Sequence, residues 1–244
     1  MKHPLPLLCI AFAVFCFGCK KEKVVKTTNI TNTEAATMIA TALAINANGF
    51  INLKNDMIVY AKGVTNNGKG CGVIDSFALA RQETATSTIN YNYALGYYYT
   101  VNCNNNIQDN LTSNIISNGS FDASNLTSVN KVVSAINISP LSGSIINYTL
   151  TGSYQLAGAF QTIDETQLSG NNTIHMDIGT LVVNKSSRNI VSGTANVTVS
   201  GTVKNKNTFT YNGTLVFSNT NTATLILEGT NYTINLVTAE ITPV

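Results

Sequence analysis

Few side chains in this sequence could carry out acid–base or nucleophilic chemistry. Of 2 histidines, His3 lies in the N-terminal segment expected to be an export signal, which leaves His175 with Asp177 two residues after it. Residues two apart lie on one face of a strand, so this pair can interact, and in an active site the carboxylate would orient the imidazole. No Gly-x-Ser-x-Gly elbow accompanies them. We therefore expect a surface His–Asp pair and not a catalytic one.

Paired carboxylates could cleave a glycosidic bond, since that reaction needs only two of them at a suitable separation. The candidates are Asp75, Glu83, Asp109, Asp122, Asp164 and Glu165. They are scattered along the chain and no pattern brings two together, so a hydrolase stays an alternative. Calcium-loop, phosphate-loop, dinucleotide and Cys-x-x-Cys motifs do not occur. The sequence predicts no catalytic residue, no metal and no cofactor.

Composition limits the classes of partner. The chain has 244 residues, enough for one large or two small domains, and 44% of them are hydrophobic, enough to fill a core. Only 11% are charged, and the formal net charge is +2. A nucleic-acid binder needs clustered Lys and Arg to neutralise phosphates. We therefore expect no nucleic-acid partner.

The N-terminus is typical of an export signal. Residues 1–3 are positive, residues 5–17 are apolar but too few to cross a bilayer comfortably, and Gly18 precedes Cys19. This arrangement resembles the lipobox of bacterial lipoproteins, although Cys16 and Phe17 stand where a Leu and a small residue are usual. The resemblance implies cleavage before Cys19 and acylation of that residue, which would hold the protein on a membrane. The alternative is an ordinary secretory signal that is cut nearby.

Cysteine usage follows from that prediction. Of 5 cysteines, Cys9 and Cys16 fall in the removed segment and Cys19 takes the lipid, which leaves Cys71 and Cys103. In an exported chain an even pair is most economically a disulfide. Two free thiols are the alternative.

Two amphipathic helices are predicted near the start of the mature chain. Thr31 and Glu34 form a capping box, after which apolar residues recur at helical spacing from Ala35 to Leu43. A second stripe runs from Phe50 to Ala61 and is expected to end at Gly63. Their apolar faces need a sheet to cover them.

A tyrosine-rich strand is predicted from Ile89 to Cys103. Four rings share one parity: Tyr91, Tyr93, Tyr97 and Tyr99. Tyrosines on alternate positions could form the wall of a site for a sugar or another flat ligand. The alternative is ordinary strand packing, with the ring buried and the hydroxyl wet.

Further alternating segments predict a β-rich body. Strands are expected at 111–120, 130–138, 145–156 and 173–183, and a meander of about four strands at 189–236. Gly152, Gly201 and Gly213 interrupt strands and indicate bulges or kinks that curl the sheet.

Several of these features together resemble a group of uncharacterised lipoproteins from Bacteroidota. They are the lipobox at Cys19, the helix from Thr33 to Ala44, the segment Cys71–Ser76, the tyrosine strand ending at Cys103, and the Gly-Thr hairpins through Thr230. The resemblance implies envelope anchoring, a β-rich body and a Cys71–Cys103 bridge. It implies no activity.

The sequence therefore predicts a mainly β protein. We expect a curved antiparallel sheet, sandwich or partial barrel, with a pair of short N-terminal helices packed on it. Residues 1–18 are the signal peptide, residues 19–32 the lipidated cysteine and tether, and residues 33–244 one domain. The expected function is a non-enzymatic structural or binding role at the outer membrane, facing the periplasm or the exterior, with a membrane and an envelope protein or small ligand as partners. The alternative is a carrier or receptor that holds an apolar or glycan ligand in the concavity of the sheet.

Overall fold

A computed structural model describes residues 29–83, 88–163, 167–219 and 221–244. The predicted signal peptide, Cys19 and residues 20–28 of the tether lie outside the described residues, as do Asp164 and Glu165.

Two helices open the described chain. Helix α1 spans Asn32–Leu43, a short 3-10 helix spans Ile45–Ala47, and helix α2 spans Phe50–Asn66. The predicted capping box is present, because the Thr31 hydroxyl accepts from the Glu34 amide and the Glu34 carboxylate accepts from the Thr31 amide. Helix α2 continues past Gly63, where we expected it to end. Val64 is buried, and the Thr65 hydroxyl donates to the Ala61 carbonyl, so the last turn is retained.

The described residues after Asn66 form eleven strands in one antiparallel sheet. Each strand pairs with the next along the chain, so the topology is a simple meander, as we predicted for the last third. The strands are β1 Ile74–Glu83, β2 Ile89–Asn104, β3 Ile107–Ala123, β4 Leu126–Ser139, β5 Asn147–Thr162, β6 Ser169–Asn184, β7 Ile190–Val203, β8 Thr208–Phe217, β9 Thr222–Leu227, β10 Thr230–Asn235 and β11 Ile241–Pro243. The sheet is not closed, and β1 and β11 are its edges. The fold prediction is confirmed.

The helices fill the concave side of the sheet. Eight of the twelve residues of α1 are buried, and they lie around its whole circumference, as in a helix enclosed on all sides. Residues of alternate parity on β2 to β10 complete the same core. The 3-10 helix is joined to the chain after β10, since the Ile45 amide donates to the Leu236 carbonyl at 2.9 Å and the Asn46 amide to the Val237 carbonyl at 3.1 Å.

Glycines allow the sheet to curve this strongly. At Gly152 the pairing of β5 with β6 shifts register, and φ is +136°, which confirms the predicted bulge. Gly201 and Gly213, for which the same was expected, pair with both neighbouring strands without a shift of register. At Gly119 the ring of Tyr93 lies where a side chain would be, and an added Cβ would come within 2.4 Å of it. Neighbouring strands therefore approach each other at points where a larger residue could not fit.

Candidate functional site

The tyrosines of β2 divide into a covered group and an open one. Tyr93, Tyr97 and Tyr99 are at most 2% exposed, because they face the helices inside the concavity, whereas Tyr91 is only half-buried. Burial raises the pKa of Tyr93 to about 12, and its hydroxyl pairs with the Asn130 side chain. These three residues therefore do not form the ligand wall that the alternation suggested. A ligand in the concavity would have to displace α2.

Tyr97 is held by an ion pair between α2 and β1. Its hydroxyl donates to the carboxylate of Asp56, whose other oxygen lies 2.6 Å from Nη2 of Arg81. Arg81 also donates to the Asn48 side chain at 3.2 Å. Burial and the hydrogen bond to the carboxylate both raise the pKa of the Tyr97 hydroxyl. The ring and the ion pair fasten the helix to the first two strands.

Tyr99 is covered by a second aromatic and ionic cluster. Its ring stacks on Tyr60 of α2 with centroids 3.8 Å apart and planes 8° apart. The Tyr60 hydroxyl donates to Asp75 at 2.7 Å, and Lys69 pairs with the same carboxylate. Phe77 stacks on Tyr97 at 4.8 Å and is still 39% exposed. Aromatic surface thus reaches solvent along β1.

The disulfide lies at this covered end of β2. The sulfur atoms of Cys71 and Cys103 are bonded, and their Cα atoms are 5.6 Å apart, within the usual range for a bridge. The bond joins the loop after α2 to the end of β2. The predicted pairing is confirmed, and the alternative of two free thiols is wrong.

Tyr91 lies at the other end of β2 and lines an open groove of about 490 Å³. The groove follows the ends of five strands, β1 to β5, and reaches the start of β6. Its wall contains Glu83, Asn90, Tyr91, Asn92, Ser120, Phe121, Asp122, Thr127, Ser128, Val129, Ala159, Phe160, Gln161 and Ser169. We call it the Tyr91 groove. It is the site to which the structure brings one of the four predicted tyrosines.

The chemistry of the Tyr91 groove is mixed. Exposed carboxamides come from Asn90, Asn92 and Gln161, and Val129, which is 68% exposed, provides apolar surface. Carboxamides both donate and accept hydrogen bonds, so they suit a ligand rich in hydroxyl groups. Val129 shares the outer face of the sheet with these carboxamides, whereas Tyr91 leaves from the opposite face beside Glu83. Its partly exposed ring would therefore meet the same ligand only where the groove passes the strand ends.

Two of the candidate carboxylates, Glu83 and Asp122, lie in this groove. No sequence pattern predicted that Glu83 and Asp122 lie in the same groove, since the two residues are far apart along the chain. Glu83 is opposite Tyr91, and Asp122 is opposite Asn90, so the two side chains leave the sheet from opposite faces in neighbouring rows. Both carboxylates therefore line one cleft, but their side chains do not converge on a common position.

His175 and Asp177 form the pair that their spacing predicted. Nε2 of His175 lies 3.1 Å from Oδ1 of Asp177, and both side chains are exposed on the outer face of β6. Gln155 and Thr198 are the neighbours of His175 on the adjacent strands. Hydrogen bonds from a hydroxyl nucleophile to this imidazole are not found among the described residues.

Several residues of the Tyr91 groove and of the ion pairs around Tyr97 and Tyr99 were not predicted from the sequence. Asp56, Arg81 and Lys69 had no pattern that linked them to the tyrosines. Asn90 and Asn92 did alternate with Tyr91, which indicates a polar opposite face but not a groove. Phe160 reaches the groove only because β5 pairs with β4.

Over the same described residues, no helix is long and apolar enough to span a membrane, and His, Cys, Asp and Glu side chains do not gather into a group of three or more that could hold a metal ion. Comparison of the chain with family models, curated proteins and solved structures finds no match.

Proposed function

We propose that this protein is a lipid-anchored component of the bacterial outer membrane with a non-enzymatic binding role, and that the Tyr91 groove binds a carbohydrate. The observation that carries the proposal is the contrast between the two ends of β2. The helices occupy the concavity, while the groove at the strand ends stays open with an aromatic ring in its wall.

The groove has the features that recognition of a sugar requires. A sugar ring presents C–H groups on its faces and hydroxyls around its edge, so it needs one flat apolar contact and several donors and acceptors. Val129 supplies apolar surface beside the carboxamides of Asn90, Asn92 and Gln161, which supply hydrogen bonds, and Tyr91 adds a ring from the opposite face of the sheet at the strand ends. Backbone pairing holds these groups on strands, so a ligand would find them already ordered.

Calorimetric titration of the full protein in detergent tests this proposal. The probes are soluble oligomers of glucose and of N-acetylglucosamine. Tyr91→Ala should weaken binding by the value of one ring contact, about 0.5–1.5 kcal/mol, or roughly two- to tenfold in Kd. Tyr98→Ala is the matched control, because Tyr98 is exposed on the same strand but outside the groove.

Three results would count against the proposal. Absence of binding to every oligomer removes the carbohydrate, and equal affinity of Tyr91→Ala and wild type removes the groove. Release of new reducing ends from the oligomers, if abolished by Glu83→Gln or Asp122→Asn, would instead identify a hydrolase that uses the two groove carboxylates.

The anchor is supported by the sequence around Cys19. Labelling of growing cells with an alkyne analogue of palmitate should mark the wild-type protein and Cys16→Ala but not Cys19→Ala. Cys16 is the matched control, because it lies three residues upstream within the expected signal peptide. Label on all three proteins, or on none, would contradict acylation at Cys19.

A further inference from the structure

The edge strand β1 differs from the other edge of the sheet. It has ten residues, and among the described strands it pairs only with β2. The opposite edge, β11, has three residues and ends in Pro243. A long edge strand with unpaired amides and carbonyls is a template for another strand, whereas a short edge with proline is protected. Ile74, at the start of β1, is 74% exposed.

Two of the three charged residues of β1 are placed symmetrically about Ala78. Asp75 and Arg81 each lie three residues from it, and both point to the concave side. Inward-pointing charges usually protect an edge from pairing. In this strand, however, an antiparallel copy centred on Ala78 would place Asp75 of each chain opposite Arg81 of the other.

Neighbouring registers lose this complementarity. A pairing centred on Leu79 puts Asp75 opposite Glu83 of the second copy, which is repulsive. A pairing centred on Phe77 puts Asp75 opposite Leu79 and leaves Arg81 opposite Val73. Only the Ala78 register forms two ion pairs, and it also places Phe77 opposite Leu79. Charge therefore selects one register for a two-fold pairing of this strand.

The groups around these charges fit the same arrangement. Asp75 is already paired with Lys69, and Arg81 with Asp56. Bringing Asp75 next to Arg81 of a second copy extends each pair into an alternating row of four charges. The outward side chains at the centre, those of Ser76, Ala78 and Ala80, are small, so they add little bulk beside a second strand.

We propose that two copies of this protein pair through β1 in antiparallel register about Ala78, which joins their sheets into one. The occupant of the edge is a second copy because the charge pattern of the strand complements itself.

Cysteine cross-linking in cells that produce the full protein tests the register. In an Ala78→Cys variant the two introduced cysteines lie directly opposite, with Cα atoms about 4.5–5.5 Å apart, within reach of a disulfide. In the matched control Ser76→Cys they lie roughly 14 Å apart along the paired strands, out of reach. The double variant Ser76→Cys/Ala80→Cys restores opposite positions.

After mild oxidation with copper phenanthroline, Ala78→Cys and the double variant should migrate at twice the monomer mass on a non-reducing gel, and Ser76→Cys should remain monomeric. Reductant should return all of them to the monomer. Peptide mass mapping of the Cys71–Cys103 bridge verifies that the native disulfide is intact.

Either of two outcomes overturns the proposal. If none of the variants forms the dimer, or if Ser76→Cys forms it as efficiently as Ala78→Cys, the register is wrong. If Ala78→Cys instead forms a product whose mass is not twice that of the monomer, a strand of a different protein occupies the edge. Neither outcome depends on the Tyr91 groove, which can be measured in the same variants.

Discussion

Tyr97 and Tyr91 occupy the same strand and the same face of the sheet, yet they have opposite roles. Tyr97 is enclosed by α2, Phe77 and the Asp56–Arg81 ion pair, whereas Tyr91 lies in an open groove. Residue type, parity and strand are identical, so the difference comes from the helix. Side chains of α2 contact the Tyr97 and Tyr99 end of β2, and the rings there become core. A repeated motif on one strand can thus be part core and part binding surface.

Truncation of the two rings tests this contrast most directly. Tyr97→Ala should lower the free energy of unfolding by about 3–5 kcal/mol, because it empties a fully packed position and removes the hydrogen bond from the tyrosine hydroxyl to Asp56. Tyr91→Ala should cost less than about 1 kcal/mol, since its ring already meets solvent. Urea titrations of both variants provide the measurement, and similar losses in the two would show that the helix does not distinguish them.

Loss of the disulfide should loosen only the covered end of β2. The bridge closes a loop between residues 32 apart, so the double variant Cys71→Ser/Cys103→Ser should lose about 3–4 kcal/mol on the chain-entropy model. Hydrogen exchange should accelerate in β1 and near Asn102. Faster exchange at Asn90–Asn92 as well would mean that the two ends of the strand are not independent.

The buried side chain of Lys54 tests how far water is excluded from the environment of α2. The side chain is buried and donates to the Arg188 carbonyl at 2.7 Å, and burial, with a smaller effect from Arg188, lowers its pKa to about 8. Below pH 8 the lysine is charged in both states and the cost of burying it is fully present. Between pH 8 and 10.5 the unfolded chain binds the proton more tightly, so the free energy of unfolding rises with pH.

From about pH 7.5 to about pH 9.5 this rise should be roughly 2 kcal/mol. Lys54→Met should remove it, while Lys62→Met, at an exposed position of the same helix, should retain it. Above pH 10 the trend should reverse, because the pKa values of Tyr97 and Tyr99 are raised by burial and the unfolded chain releases those protons first. If the free energy of unfolding of the wild type did not change with pH over this range, the inference that water is excluded from the Lys54 side chain would be wrong.

The smallest effect is expected at the ion pair that covers Tyr97. Asp56→Asn keeps an acceptor for the tyrosine hydroxyl but removes the charge opposite Arg81. We expect a loss of about 1 kcal/mol that shrinks as salt is added, since both side chains retain some exposure. Asp109→Asn, at an exposed position on β3, is the control. A salt-independent loss would assign the effect to packing.

Much of the fold could be predicted because it is local in the chain. The capping box predicted the start of α1, and alternation predicted β7 to β10 because those strands have one buried and one wet face. Strand β1 was missed for a physical reason. Its inward residues include Asp75 and Arg81, which pair with Lys69 and with Asp56 of α2, so neither parity is uniformly apolar.

The sequence by itself determined a mainly β meander, two helices whose apolar faces a sheet must cover, and a bridge between the last two cysteines. It could do so because periodicity, caps and short turns act between near neighbours. Only the tertiary structure decided which tyrosines are core, where the groove opens and that Glu83 and Asp122 share it. Those outcomes depend on where α2 lies against β2 and on how far the sheet curves, and contacts between residues tens of positions apart set both.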